Sequence, residues 1–340
     1  MKNYINLIFL LIFLILLFGC SDNNNIVVVY TALDRRFSEP ILKKFEQETG
    51  IKVKVKYDTE STKTVGLTAC LLEERTHPRC DVFWNNEIVN TIRLKQAKVL
   101  TPYFSPKAKN IPEQFKDTQG YWTGFAARAR VLIINKNLVK KNNYPTSIFD
   151  LTKPKWKGKF GMAKPIAGTT ATHVVSLFNE LGNNKTKIFL NNLKLNKVSL
   201  ESGNKTCAQK VANGELHIAL TDTDDAIIEI DQNKPVSIVY LDKNHDELGT
   251  LFIPNTLALI ANSPNSQNGK KLIDYLLTAK VEKILAAGPS AQIPLNKKLK
   301  LKLRVKTPKN IKSMKVNFET AAKKWNKVQK YILTTFLNGN

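Results

Sequence analysis

The feature that most constrains the fold of this chain is the regular alternation of short apolar strands with amphipathic helices. Strands are predicted at 26–30, 51–57 and 82–84, and a helix follows each of them. Helices placed between successive strands predict a mostly parallel sheet with helices on its faces. Ligands of such sheets collect beyond the carboxyl ends of the strands, so the segments that directly follow each strand are the expected site.

Two long apolar strands, at 128–134 and 251–260, are placed to carry the chain from one lobe to another and back. Strands and helices between them indicate a second α/β lobe. We expect lobe 1 to comprise residues 26–127 and 256–340, with an amphipathic helix near its end, and lobe 2 to comprise 128–255. The two crossing strands predict a hinge near 130–134 and 253–256.

The N-terminus reads as a lipoprotein signal, residues 1–19, because a twelve-residue apolar run at 7–18 ends in LFGC at 17–20. That run is well short of the ~20 residues that a membrane-spanning helix needs. Cys20 is the predicted lipidation site. Residues 20–25 are predicted to be a polar tether. The sequence therefore predicts an exported protein, lipid-anchored to a membrane and facing the periplasm or the cell exterior.

The formal charge of +24 is unevenly distributed, since thirteen of the basic residues and one acid lie from Asn296 onward. Export argues against a nucleic-acid partner, and no basic run elsewhere is interleaved with stacking aromatics. We therefore read most lysines as solvated surface that favours contact with anionic lipid headgroups. The expected state is a monomer that binds no nucleic acid.

Three cysteines, Cys70, Cys80 and Cys207, remain once Cys20 is assigned to lipid. Outside the cytoplasm a disulfide between Cys70 and Cys80 is chemically permitted, but their separation in space does not follow from the sequence. Reduced, packed thiols are an equally good interpretation.

Five small, polar segments occur where helices begin after strands. Free backbone N–H groups at a helix start bind anions, and hydroxyl or amide side chains extend that cradle. Each segment alone is better explained as a helix cap than as a ligand contact, but five of them converging on one cleft favour a binding site. The candidate binding residues in and around these segments are Asp34, Asn85, Asn86, Glu87, Thr169, Thr170, Ser202, Asn204, Thr221, Asp222, Asp224 and Asp225.

Arg128 and Arg130 are two residues apart on a strand, so both face one side and could grip a carboxylate or phosphate. A surface pair that neutralises local acids is an equal alternative. The acidic cluster of Asp222, Asp224 and Asp225 could hold a hard metal ion or an organic cation. Alternatively, these carboxylates cap a helix, whose N-terminal dipole favours negative charge.

An enzyme is not indicated, because the chain has no nucleophile elbow, no P-loop and no metalloprotease motif, and its four histidines lack metal spacing. A hydrolase that uses paired carboxylates is unsupported by any motif. No cofactor is expected.

Five motifs together point to a family: YTALD at 30–34, FEQETGIKV at 45–53, DVFW at 81–84, PKWKGK at 154–159 and GEL at 214–216. Over residues 26–295 the chain resembles ABC-transporter solute-binding proteins of the ferric-iron-binding type. The resemblance implies an α/β, two-lobed, type II periplasmic-binding-protein clamshell with parallel or mixed sheets, flanking helices and a two-strand hinge. It also implies delivery of a small solute to an ABC permease in the membrane.

The resemblance implies less about the solute. Ferric-binding members hold iron with a His, a Glu and two adjacent Tyr, and the matching positions here are Asp34, Asn86, Asp224 and Asp225. The anion-gripping positions are more similar, at Arg128 or Arg130 and at 168–170. We favour Fe³⁺ or a metal complex as the transported solute, held by Asp34, Asp224 and Asp225. The alternatives are a small anion, such as a phosphonate or sugar phosphate, and an organic cation such as a polyamine.

Overall fold

The computed structural model describes residues 25–58 and 63–338. The predicted signal peptide, the predicted lipidation site Cys20 and residues 20–24 of the predicted tether lie outside this part of the chain. In the described part no helix combines the length and the apolar character needed to cross a membrane.

Ten strands and ten α-helices alternate along the described residues. The strands are β1 (Ile26–Thr31), β2 (Lys52–Tyr57), β3 (Val82–Asn85), β4 (Leu100–Thr101), β5 (Thr123–Asn135), β6 (Phe160–Ala163), β7 (Ser199–Glu201), β8 (Ile218–Asp222), β9 (Val236–Val239) and β10 (Phe252–Ile260). The helices are α1 (Arg35–Thr49), α2 (Val65–Glu73), α3 (Val89–Gln96), α4 (Gly168–Glu180), α5 (Gly182–Leu195), α6 (Asn204–Ala212), α7 (Thr223–Asp231), α8 (Ser266–Leu276), α9 (Ala279–Ala287) and α10 (Phe318–Tyr331).

The strands form one mixed sheet in the order β2-β1-β3-β10-β5-β8-β6-β7, with β4 beside β10 and β9 beside β5. β1 runs parallel to β2 and β3, and β6 runs parallel to β7 and β8. β10 and β5 are antiparallel to their neighbours in the middle of the sheet. The α/β fold and the parallel or mixed sheets expected from the sequence are confirmed.

Strand β5 connects the two halves of the molecule. From Thr123 to Ala129 it pairs with β10, and from Arg130 to Asn135 it pairs with β8 and β9. All thirteen of its residues are buried. The pairing of β5 with β10 is irregular between Ile253 and Asn255. This change of partners coincides with the hinge expected near 130–134 and 253–256.

The last helix packs against both halves. α10 contacts α4 from one half and α3 from the other, and its Trp325 ring lies 4.9 Å from the Arg93 guanidinium on α3. A π-helical turn (Ile332–Phe336) follows and buries Ile332 and Phe336. The division at residues 127/128 and 255/256 stays a prediction, because the terminal helix belongs to neither half alone.

Two local details add to the sequence expectation. α1 begins at Arg35, because the Asp34 carbonyl accepts the N–H groups of Phe37 and Ser38. The thiols of Cys70, Cys80 and Cys207 are all free, so the structure contains no disulfide between Cys70 and Cys80.

Candidate functional site

A cavity of about 190 Å³ lies between the two halves. One wall comes from residues that follow β1 and β3, together with Lys63, and the other from the starts of α4, α6 and α7. The lining residues are Leu33, Asp34, Lys63, Asn86, Arg128, Ala163, Lys164, Ile166, Ala167, Gly168, Thr169, Thr170, Ser202, Gly203, Asn204, Asp222, Asp224 and Asp225. Post-strand segments distant in the sequence therefore converge, as the alternation of strands and helices predicted.

Four helices begin at this cavity, and none is capped by the side chain at its N-cap position. These positions are Asp34 for α1, Ala167 for α4, Gly203 for α6 and Asp222 for α7. The first N–H groups of a helix have no partner within the helix and carry partial positive charge. The capping interpretation therefore fails for these N-cap side chains, and the helix starts face a small polar space that suits an anionic group.

The wall formed by α4, α6 and β8 is organised around Arg130. Arg130 lies opposite Asp222 on the neighbouring strand, and its Nη1 is 2.7 Å from the Asp222 carboxylate. The same guanidinium donates to Thr169, Thr170 and Asn204 at 3.0–3.3 Å. Asn204 in turn donates to Thr169 and Asp222, at 2.8 and 3.1 Å. This network fixes the first turns of two helices.

Arg130 itself is not part of the cavity surface. Its side chain is 1% exposed and lies behind the threonines, asparagine and aspartate that it bonds. Contact between Arg130 and the solute stays a prediction: its Nη1 and Nη2 groups donate within the wall, and its Nε is buried without a hydrogen-bond partner among the described residues. Its role is to hold the lining residues in place.

Arg128 reaches both halves of the molecule. It donates to the Asn86 carbonyl and, at 2.9 Å, to Asn255 on β10. Its Nε lies 3.2 Å from the Asp224 carboxylate at the start of α7. This buried guanidinium therefore contacts residues of both walls, Asn86 and Asp224, as well as Asn255 on β10.

The carboxylates of Asp222, Asp224 and Asp225 offer oxygens that all lie within 4.8 Å of one another. Burial, together with the neighbouring carboxylates, raises the pKa of Asp224 and raises that of Asp225 further. One oxygen of Asp224 is buried without a hydrogen-bond partner, and no described residue bonds or pairs with the Asp225 side chain. A cation placed here would relieve this repulsion.

Asp34 lines the cavity but lies outside this cluster. Its carboxylate forms an ion pair with Lys63, and Arg36 lies 3.4 Å away. Burial alone would raise its pKa, but the positive charges of Lys63, Arg36 and Arg128 together outweigh that effect and hold the pKa below its usual value. The structure therefore separates Asp34 from Asp224 and Asp225, with which the sequence had grouped it as a metal ligand.

Three further predicted residues do not line the cavity. Asn85 and Thr221 are fully buried, and Glu87 caps α3 by accepting the N–H groups of Val89 and Asn90 at 2.6 and 2.9 Å. Asn85 donates to Glu87 at 3.0 Å, and the Thr221 hydroxyl donates to the Asn204 carbonyl at 3.0 Å. These side chains support the site rather than contact its contents.

Two contacts join the walls directly. The buried Thr172 hydroxyl on α4 donates to Glu87 at 2.6 Å, and the Gly168 N–H donates to the Lys63 carbonyl at 3.0 Å. Gly168 has φ +60°, which lets the chain enter α4 without strain while its N–H points to the opposite wall. The cavity is thus bounded by halves that touch.

Two lining residues, Lys63 and Lys164, are not among the candidates that the sequence indicated. Lys164 is exposed and directly follows β6, so the expectation that residues just after a strand line the site applies to it as well. Lys63 follows β2 after an intervening segment and has no hydrophobic periodicity around it that would mark its position.

A small polar cavity between two α/β halves, joined by two crossing strands, defines a class of protein: a receptor that encloses a small solute. The chain belongs to the bacterial extracellular solute-binding protein family, whose model matches residues 90–324. This is a family of transport receptors and not of enzymes, as the missing catalytic motifs predicted.

Individual relatives agree with this placement. The major ferric iron-binding protein of Neisseria meningitidis is 26% identical over 283 residues, which cover 79% of this chain and 81% of that protein. A putative 2-aminoethylphosphonate-binding periplasmic protein of Salmonella typhi is 27% identical over 214 residues, 62% of this chain and 61% of that protein. Iron-bound HitA from Pseudomonas aeruginosa superimposes with a TM-score of 0.81 at 22% identity, covering 90% of this chain and 99% of that one. The resemblance to ferric-binding receptors and the two-lobed fold are therefore confirmed.

Proposed function

We propose that this protein is the lipid-anchored receptor of an ABC importer, which captures a small solute between its lobes and delivers it to a permease. Its membership of the solute-binding family supports the receptor role, and the LFGC motif at 17–20 supports the anchor. Two or more lipid chains on Cys20 would hold it stably at a membrane surface.

The anchor is tested by changing Cys20 to Ala and labelling cells with a fatty acid. Wild type should incorporate the label and the variant should not, because the thiol is the acceptor. Cys70→Ala is the matched control and should label like wild type. Equal labelling of wild type and Cys20→Ala would rule the anchor out.

For the solute, we propose a small zwitterion that carries one cationic group and one phosphonate, phosphate or carboxylate. The observation that supports it most is the separation of unsatisfied charge in the cavity. Among the described residues, the Asp225 side chain has no hydrogen-bond or ion-pair partner and one oxygen of Asp224 is buried without one, whereas the N-cap side chains of α4 and α6 form no cap. An ammonium beside Asp224 and Asp225 and an anion at Thr169, Thr170 and Asn204 would satisfy both.

The arginines favour this assignment over a simple anion. Arg128 and Arg130 are already matched by Asp224 and Asp222, so they add little net attraction for an incoming negative group. The volume of about 190 Å³ also lies below the 300–1,000 Å³ of pockets for drug-sized ligands. A relative named as a putative 2-aminoethylphosphonate-binding protein supports a solute of this chemistry.

Ferric iron, which the sequence favoured, is the second candidate. The three clustered carboxylates supply hard oxygen donors for a metal ion, and relatives named as ferric iron-binding proteins support it. Among the described lining residues, however, there is neither a Tyr nor a His. Asp222 and Asp224 are also engaged by arginines, which leaves Asp225 as the least committed donor.

The deciding experiment is calorimetric titration of chelator-free protein with 2-aminoethylphosphonate, ethylphosphonate and ferric citrate, alongside elemental analysis. We expect 2-aminoethylphosphonate to bind at least tenfold more tightly than ethylphosphonate, which lacks the amine, because a hydrogen bond to a charged group contributes about 1.5–3 kcal/mol. Asp225→Asn should abolish that preference, whereas Asp231→Asn, at the far end of α7, should keep it. Co-purified iron, with no binding of either phosphonate, would establish the metal instead.

A further inference from the structure

Residues 298–306, which we call the basic strap, alternate strictly between basic and apolar side chains without forming a helix or a strand. Alternate residues of an extended chain point to opposite sides. The apolar positions are half-buried or buried, and the basic positions are all exposed. The exposed residues are Lys298, Lys300, Lys302, Arg304 and Lys306. One edge of the basic strap therefore packs on the protein, and the other presents a row of cations.

These cations are largely unneutralised. Arg304 pairs with Asp231 at 2.7 Å, but no described residue forms a hydrogen bond or ion pair with the side-chain amino groups of Lys298, Lys300, Lys302 and Lys306. Residues 296–317 contain nine basic residues and no acid. Such a run favours contact with an extended anionic surface.

The basic strap lies away from the solute cavity. Its Arg304 pairs with Asp231, the last residue of α7, whose first turn lines the cavity through Asp225, so about 9 Å of helix separates the two. Within the basic strap, the Lys306 N–H donates to the Tyr240 hydroxyl at 2.9 Å. A partner bound along the basic strap would leave the cavity accessible.

The neighbouring surface adds cations and an exposed ring. The Lys297 N–H donates to the Asn110 carbonyl at 3.0 Å, which joins the basic strap to the 3₁₀-helix Pro106–Asn110. Lys107 and Lys109 of that helix are exposed, and Phe104 just before it is 71% exposed. An aromatic ring beside several cations is the composition that suits a lipid–water interface.

We propose that the basic strap, with Lys107, Lys109 and Phe104, is a docking surface for an anionic lipid bilayer. A soluble polyanion would account for the lysines but not for the exposed ring. The tether proposed above also keeps the folded protein within about 20 Å of the lipid, since each residue spans at most ~3.6 Å. This proposal goes beyond solute capture and adds a second, electrostatic attachment to the same membrane.

The test is co-sedimentation with vesicles of phosphatidylcholine alone or with a third of phosphatidylglycerol. The chain from Asn25 onward is suitable, because all three hydrophobic core clusters and every described strand lie within it. We expect binding to the anionic vesicles only, weakening as salt rises from 50 to 300 mM. A variant with Gln at positions 298, 300, 302 and 306 should lose at least tenfold in affinity, because each cation near such a surface contributes about 1 kcal/mol, or roughly fivefold.

The matched control replaces four other exposed lysines with Gln, which removes the same amount of charge: Lys136, Lys140, Lys141 and Lys185. It should bind within twofold of wild type, and Phe104→Ala should fall a few-fold. Three results would each overturn the proposal. The first is an equal loss of affinity in the two four-residue variants, and the second is equal binding to neutral and anionic vesicles. The third is capture of soluble polyphosphate without any binding to vesicles. None of these results depends on the solute or on Cys20.

Discussion

The wall of the cavity built from α4, α6 and β8 carries a connected hydrogen-bond network, whereas in the wall built around β1, β3 and Lys63 the Asp34 carboxylate forms ion pairs with Lys63 and Arg36. In the first wall Arg130, Thr169, Asn204 and Asp222 bond to one another, and all but the half-buried Asn204 are buried. In the second, Asp34 and Lys63 keep about a fifth of their side chains exposed. The first wall is therefore preorganised by its own contacts to a greater extent than the second.

The largest expected effect tests the preorganised wall. Arg130→Ala should lower the free energy of unfolding by about 3–5 kcal/mol, because it leaves the buried Asp222 carboxylate without its partner. Urea unfolding followed by circular dichroism would measure the change. The double variant Arg130→Leu with Asp222→Leu should recover most of the loss, since an apolar pair leaves no buried charge. A single variant that loses less than 1 kcal/mol would show that the network does not organise this wall.

Contact between the walls is tested by Thr172→Val, which removes the hydroxyl that donates to Glu87 but keeps the side chain's shape. We expect solute affinity to fall about three- to tenfold, because Glu87 keeps its two backbone donors and only the contact between the halves is lost. Ser176→Ala is the control, since that hydroxyl bonds within α4. Unchanged affinity in Thr172→Val would mean that this contact does not stabilise closure.

The two walls should respond to acid in opposite directions. The folded pKa of Asp34 lies below its unfolded value, so its contribution is present above about pH 4 and is lost as the pH falls through the folded pKa. The folded pKa of Asp225 is raised, so its contribution is present below about pH 4 and is lost as the pH rises through the folded pKa. At pH 7, without solute, Asp34→Asn should destabilise by up to about 1 kcal/mol and Asp225→Asn should stabilise. Thermal melts at pH 7 and pH 3.5 would show both differences shrinking in acid, and effects of the same sign at pH 7 would contradict the charge assignment.

The smallest expected effect concerns reactivity. Cys70 on α2 is half-buried, whereas Cys207 in α6 is fully buried and burial raises its pKa. In the folded protein one thiol, Cys70, should react with a maleimide, and Cys207 should react only after unfolding. Peptide mass spectrometry of timed samples measures this, and Cys70→Ser provides the control. Comparable rates at both positions would show that α6 opens to solvent as readily as α2.

The sequence predicted the fold and most of the cavity, because strand–helix alternation places post-strand residues such as Asp34, Asn86 and Thr169 at one edge. It failed for Glu87, since a carboxylate at a helix start looks the same whether it caps the helix or contacts a solute. The spacing of two residues placed Arg128 and Arg130 on the same side of β5. It could not show that Arg128 lines the cavity whereas Arg130 lies behind the lining residues. Which charges cancel depends on contacts such as Arg128 with Asp224, 96 positions apart, and those exist only in the folded chain.

Helix α10 has a consequence for the order in which the molecule matures. It closes against α3, more than two hundred residues earlier in the chain, as well as against α4. A contact of that sequence separation forms late in folding, because a long loop must close first. Strand β10 likewise pairs with β3 from early in the chain, so the first half of the sheet is completed only by residues that follow the second half. The assembled receptor therefore depends on two late segments, β10 within the sheet and α10 across both halves.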